Sequence, residues 1–300
     1  MGSEKSSEPN PQMQPRSVET AGIFVAGTAG CGSGFPSHRR RVQPDAVLLL
    51  LDIGNTHTHV ALGRGGRLMR AANFPTAAWW DGRMTSLLLG HVGSAKVTAI
   101  ALCSVVPGAT QRAARSLRQQ WGLQPFQLTA KTLRGLGIDY PRPSSIGPDR
   151  LANAVAARSL YGAPVVVVDF GTAVTFDVVN RSGDYVGGII APGLAAMTSY
   201  LHEKTALLPE IKIREVSAVV GKSTEQAMLI GAVHGYRGLV RELIAQLKRE
   251  LGRRRLPVVA TGGYAKLMAS KLPEITAVDP LLTLRGLALA WELNQSAARP

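Results

Sequence analysis

Asp52-Ile53-Gly54-Asn55-Thr56, at the end of the apolar run Val47–Ile53, returns 117 residues later as Asp169-Phe170-Gly171-Thr172, at the end of Pro164–Asp169. The same shift carries Gly66 onto Gly183. Each motif is followed by an alternating stretch (His57–Leu62, then Ala173–Asn180), a glycine turn and another strand-like run (Arg67–Phe74, then Tyr185–Ile190). Period-two alternation bounded by Gly, Asn and Asp marks antiparallel strands joined by tight turns. Strand, D-x-G, strand, turn, strand therefore occurs twice at one offset with no gap. It reads as an internal duplication, one three-stranded unit opening each of two halves.

Outside these units strands and helices alternate. Lys96–Val106 and Pro257–Thr261 read as strands and Pro125–Leu128 as a short one; Ala109–Trp121, Leu151–Tyr161, Pro192–His202 and Leu281–Leu293 read as helices. Ser223-Thr224-Glu225-Gln226 is a capping box, with Ser223 at the N-cap. The helix behind it spaces Leu239, Leu243, Leu247 and Leu251 four apart, one stripe facing a core. The alternation predicts an α/β fold of two domains, 46–161 and 162–300. Residues 1–45, rich in Ser, Pro, Gly and Gln, predict a disordered extension or a mis-assigned start. Their mildly apolar stretch, Gly22–Cys31, is short and follows acidic residues where a secretion signal is basic.

The 300 residues are 45% hydrophobic and 18% charged, which excludes a disordered chain. The cysteines, Cys31 and Cys103, are too few for a disulfide scaffold and have no C-x-x-C spacing for zinc. No apolar run approaches the roughly 18 residues of a spanning helix, so a soluble, cytoplasmic protein is expected. The net charge of +14 favours anionic partners. It is mostly dispersed arginine, with a local run at Lys248, Arg249, Arg253, Arg254 and Arg255 that also suits a helix C-terminus.

A carboxylate at a strand end, followed by Gly and a hydroxyl residue, suits a phosphate. The glycine lets backbone N–H groups approach the anion, the hydroxyl donates to it, and the Asp binds a shared cation. Two such turns facing across a cleft grip a nucleoside triphosphate from both sides, and Gly262-Gly263 offers a flat backbone surface for the nucleoside. Asp149, in the loop Gly147-Pro148-Asp149-Arg150, is either a general base or the N-cap of the helix Leu151–Tyr161. Arg150 either forks onto a carboxylate or phosphoryl group or is a surface arginine. His57 and His59 share one strand face without a third metal ligand nearby, and read better as a polar face toward nucleotide.

In combination these stretches resemble the type III pantothenate kinases, within the acetate kinase, sugar kinase, Hsp70 and actin superfamily. The matching motifs are D-x-G-N-T at Asp52–Thr56, G-x-D-R at Gly147–Arg150, D-x-G-T at Asp169–Thr172, G-G-x-I-x-P-G at Gly187–Gly193 and G-x-S-T at Gly221–Thr224. They keep the family's order, and the first 45 residues have no counterpart. The resemblance implies two ribonuclease H-like domains with ATP in the cleft between them. It implies transfer of the γ-phosphoryl group to the primary hydroxyl of pantothenate, giving 4′-phosphopantothenate in the first step of coenzyme A synthesis. By resemblance Asp149 is the catalytic base, and Tyr140, Gly147, Pro148, Asp149, Arg150 and Thr224 bind pantothenate, Thr224 from the partner subunit of a homodimer. Asp52, Ile53, Gly54, Asn55, Thr56, His57, Thr58, His59 and Thr172 bind ATP. Asp169 holds a monovalent cation, potassium or ammonium, and Asp52 holds Mg²⁺ through water.

Two other classes compete. A non-catalytic regulator of the Bvg accessory factor type would suit the positive charge, but the chain has no helix-turn-helix signature and its basic residues are not interleaved with aromatics, so nucleic acid is not expected. A hydrolase or another kinase of the superfamily would explain the paired turns but not the Gly147–Arg150 loop.

Overall fold

The computed structural model describes residues 47–297; the expectations for residues 1–45 lie outside the described residues. The first sheet contains β1 (Val47–Ile53), β2 (His57–Arg64), β3 (Arg67–Pro75), β4 (Val97–Ser104) and β5 (Phe126–Gln127), in the order β3-β2-β1-β4-β5. The second contains β6 (Gly137–Ile138), β7 (Val165–Phe170), β8 (Ala173–Val179), β9 (Asp184–Pro192), β10 (Val258–Thr261) and β11 (Ala277–Val278), in the order β11-β10-β7-β8-β9-β6. Each opens with an antiparallel meander and adds two strands parallel to its first, so β7–β11 repeat β1–β5 with β6 as an extra edge. The α/β class and the duplication both hold.

The helices are α1 (Arg83–Val92), α2 (Pro107–Trp121), α3 (Pro148–Tyr161), α4 (Leu194–Lys204), α5 (Thr224–Glu250), α6 (Ala265–Ala269) and α7 (Leu282–Ala297). Proline opens α2 and α3 earlier than the apolar pattern suggests, since its missing N–H would be unpaired at that position anyway. The leucine stripe of α5 flanks its buried face, which runs through Tyr236, Val240 and Ile244. No helix among the described residues is long and apolar enough to cross a membrane.

Strand alternation sorts the residues into three cores. Val47, Leu49, Leu51 and Ile53 of β1 pack toward α1 and α2, while Val166, Val168 and Phe170 of β7 pack toward α5 and α6. Leu48, Leu50, Val165 and Val167 face the middle core, which α3 and α7 fill between the sheets. The next middle-facing position is Asp52 on β1 and Asp169 on β7. The alternation that buries those aliphatic side chains thus delivers two carboxylates to the same layer. The middle helices are also exchanged: α3 packs on β7 and β8, whereas α7 returns to β1 and β4.

One detail of the repeat differs from the sequence reading: it is not gapless. After β1, the Gly54 N–H donates to the carbonyl of His57 at 3.0 Å; after β7, the Gly171 N–H reaches Ala173 at 3.1 Å, one residue sooner. The β8–β9 connection is longer than Gly65-Gly66 between β2 and β3, and the two differences cancel by Gly66 and Gly183. On β2 and β8 equivalent positions therefore lie 116 apart, as Thr56 and Thr172 do. Leu50 pairs with Ala61 where Val167 pairs with Asp177.

Candidate active site

The two D-x-G turns meet. The hydroxyls of Thr56 and Thr172 lie 3.2 Å apart, joining turns from different sheets. The first turn is staked from behind by Thr76, whose Oγ1 donates to the Gly54 carbonyl at 2.7 Å and whose N–H donates to that of Thr56 at 3.0 Å. Asp52 Oδ1 accepts from the thiol of buried Cys103 at 3.4 Å. Asp169 Oδ2 accepts from Asn153 Nδ2 on α3 at 3.2 Å, and Asn153 Oδ1 accepts from Thr283 Oγ1 on α7 at 2.8 Å. Gly262, at the end of β10, holds φ +88°, and a Cβ there would stand 2.5 Å from Asp169 Oδ1. No side chain fits between that turn and the carboxylate.

Helix α3 points its start at the same place. Gly147 is its N-cap, Pro148 its first residue, and Asp149 lies in the first turn, so Asp149 is not the cap. Asp149 Oδ1 accepts from the Arg150 N–H at 2.8 Å. Arg150 turns toward the second sheet: its Nε meets Asp177 Oδ1 at 2.6 Å, its Nη2 donates to the Phe176 carbonyl at 3.1 Å, and its guanidinium lies 5.8 Å from the Tyr185 ring centre. Tyr140 stands edge-on to Tyr185 at 6.3 Å, partly exposed.

Four carboxylates share this recess and act on one another. Burial, reinforced by the charge of Asp149, pushes Asp52 up to about 7 against the pull of the Cys103 thiol. Burial pushes Asp169 up to about 6, with Asn153 opposing and Asp149 and Asp52 adding. Asp177 rises to about 7 by burial, against Arg150. Asp149 is also raised by burial, with the Arg150 N–H opposing. Burial works against the charge on Arg150, but Asp177, Tyr185 and Asp149 together outweigh it and the guanidinium pKa rises. Carboxylates this reluctant to ionise call for positive charge, and all-oxygen donors suit hard cations. The described residues contain no group of three or more His, Cys, Asp or Glu disposed around one metal, so a cation here would complete its shell with water or phosphate oxygens.

The remaining residues singled out in the sequence fall into two groups. Asn55 and His57 are exposed at the first turn, and His59 pairs across β1 with Asp52, its Nδ1 2.6 Å from Asn73 Oδ1. Ile53 and Thr58 turn away: the Ile53 side chain lies in the core under α1 and α2, and Thr58 is buried against Thr76 and Trp79. The side chains of Ile53 and Thr58 do not face the cleft. Thr224 is exposed at the start of α5. The Ser223 hydroxyl accepts from the Gln226 N–H at 3.2 Å, while Gln226 Oε1 accepts from Lys222 rather than Ser223, at 2.7 Å. No hydrogen bond among the described residues links Thr224 to Asp149 or Arg150. Sequence reasoning missed Cys103, Asn153, Asp177 and Thr283. Asn153 had a signal, one helical turn beyond Asp149 on the same face; Asp177 had one too, as the acid interrupting an apolar strand.

Paired phosphate-type turns on duplicated sheets, with a carboxylate and a guanidinium on the helix between them, define a phosphotransferase of the two-domain α/β class. Residues 48–246 match the model of the family described as Type III pantothenate kinase. A type III pantothenate kinase of Methylacidiphilum infernorum is 44% identical over 247 residues, 82% of this chain and 88% of the relative. One of Akkermansia muciniphila is 48% identical over 248 residues, 82% of this chain and 98% of the relative. The chain belongs to the type III pantothenate kinase family. A crystal structure from Campylobacter jejuni, described as a Baf family transcriptional activator, superposes with TM-score 0.55 at 20% identity, over 83% of this chain and 99% of that one. At that identity it shows the shared fold alone.

Proposed function

We propose that this chain phosphorylates pantothenate with ATP, and that Asp149 takes the proton of the attacking hydroxyl. The observation that carries the reading is the position of Asp149. It sits in the first turn of α3, within charge range of both motif aspartates. The pantothenate hydroxyl oxygen bonds to the γ-phosphorus, the bond from that phosphorus to the bridging oxygen of ADP breaks, and the hydroxyl proton passes to Asp149. Phosphoryl transfer leaves the protein little covalent work, so positioning and charge dominate. The backbone N–H groups that follow Gly54 and Gly171 and the hydroxyls of Thr56 and Thr172 hold the phosphates, the glycine N–H groups themselves being taken up within the turns. Arg150 and Tyr140 hold pantothenate. Asp52 would hold Mg²⁺ through water and Asp169 a potassium or ammonium ion; when bound, these cations neutralise phosphate charge.

A homodimer completes the reading. Helices α4 and α5 flank an apolar groove of ≈ 730 Å³ lined by Met197, Tyr200, Leu201, Met228 and Gly231. Tyr200 is 62% exposed, and Thr224 opens the same helix α5. A second copy seated there would cover the groove and carry Thr224 to its neighbour's pantothenate. The place of action is the cytoplasm. ADP formation measured with and without pantothenate tests the function. Pantothenate-dependent ADP is expected; phosphate release without pantothenate would return the hydrolase reading, and no turnover the regulator.

A further inference from the structure

The Asp177–Arg150 pair is a costly contact. Asp177 is fully buried on β8, and its Oδ2 has no hydrogen-bond partner. A buried ion pair rarely stabilises a fold beyond what apolar side chains would give, because both ions lose their hydration. The first half makes the comparison directly. The equivalent position on β2 is Ala61, fully buried in the middle core, so this strand architecture has no need of a charge there.

The pair fixes an orientation instead. Asp177 takes only the Nε edge of the guanidinium, at 2.6 Å, and the Phe176 carbonyl takes Nη2 at 3.1 Å. The guanidinium carbon stands over the Tyr185 ring, 5.8 Å from its centre, and the Tyr185 hydroxyl lies 3.5 Å from the same Asp177 oxygen. Gly188 keeps the space open: a Cβ there would stand 2.8 Å from Arg150 Nη2 and collide with the Phe176 carbonyl. Nη1 has no protein acceptor among the described residues, and Tyr140 stacks edge-on against the same Tyr185. A guanidinium held at two of its nitrogens and one face presents its remaining N–H donors, including both on Nη1, without rotamer search, which lowers the ordering cost of binding.

We infer that Asp177 is a positioning residue that aims the free edge of Arg150 at the anionic acceptor substrate. The inference rests on the proposed role of Arg150 in holding pantothenate. Its test reads steady-state KM for pantothenate and ATP affinity by calorimetry, side by side, in Asp177→Asn and Arg150→Ala. Asp177→Asn is expected to raise KM for pantothenate by roughly 10- to 100-fold, the worth of a charge-assisted hydrogen bond. ATP affinity should stay close to that of the unsubstituted chain, which a general structural role would not allow, while the melting temperature should fall because the Arg150 guanidinium loses its buried counter-charge. In the Arg150→Ala background, Asp177→Asn should add nothing further to KM. If Arg150→Ala leaves KM for pantothenate unchanged, the reading of Arg150 fails and the inference with it. If Arg150→Ala raises KM but Asp177→Asn does not, the inference alone fails. Should Asp177→Asn not fold, NMR of the unsubstituted protein decides. The Arg150 Nε–H should be downfield and protected from exchange before pantothenate is added, and its exchange at the rate of a free arginine would overturn the inference.

Discussion

In the first half Asp52 is met by the thiol of Cys103, and the position paired with Leu50 is Ala61; in the second Asp169 is met by the amide of Asn153, and the position paired with Val167 is Asp177. Strand order and alternation are the same in both. Burial raises both carboxylates, Asp52 to about 7 and Asp169 to about 6, and in each half the neighbouring donor opposes the rise. A duplicated scaffold thus supplies two aspartates at matching strand ends, and a few middle-facing substitutions give them unequal surroundings. The halves are also stitched unequally, since α3, which also touches β4, carries Arg150 and Asn153 against the second sheet.

That asymmetry can be broken in graded steps. Ala61→Asp would put the second half's carboxylate into the first half without an arginine to meet it. An unpaired buried charge costs about 3–5 kcal/mol, so unfolding in urea should show a loss of that size. Stability within about 1 kcal/mol of the original would mean that Ala61 and Asp177 are not equivalent environments. Next, Asp52→Ala and Asp169→Ala should each weaken ATP binding by roughly tenfold or more, because on the proposed reading each carboxylate holds a cation shared with the phosphates of one nucleotide. Loss in only one of them would dissolve the shared cleft. A smaller difference should separate the two supporting donors. Asn153→Ala is expected to cost roughly tenfold in ATP affinity, and Cys103→Ala no more than about threefold, since a thiol is a weak donor. Equal effects would erase the contrast between the halves.

The smallest effect is in pH. Burial raises the Asp149 carboxyl above its ordinary 3.8, and a base works ionised, so the acid limb of turnover should lie above the pH of a free aspartate. For stability the sign is the reverse. The folded chain takes up this proton at a higher pH than the unfolded chain. The contribution of Asp149 therefore favours folding at low pH and is lost as pH rises through its folded-state value. Melting temperatures across that window should flatten in Asp149→Asn.

Much of this was written in local pattern. Alternation and glycine turns announced both meanders, and the paired aspartates followed from where the apolar runs stop. The same alternation excludes the side chains of Ile53 and Thr58 from the cleft, although a motif read as a block includes them. What stayed hidden depends on distance through space. The compensating turn lengths put Gly66 and Gly183 in register while concealing the match of Ala61 with Asp177. The exchange of α3 and α7 between sheets leaves no periodic trace, so the chain from Thr283 through Asn153 to Asp169 was invisible before the fold was known. In sequence Asp149 reads as either a base or a helix cap, and the second reading arises because a helix begun at Leu151 leaves Pro148 outside the helix that it opens.

The central claim is that Asp149 acts as the base between two nucleotide-holding turns, and Asp149→Asn tests it most directly. Because Gly147 is the cap, the substitution removes only a first-turn charge, worth about 0.3–1 kcal/mol of helix stability. Pantothenate-dependent ADP formation should fall roughly 10²–10⁴-fold, while melting temperature and ATP affinity hold. Near-normal turnover in a folded Asp149→Asn chain would contradict the account.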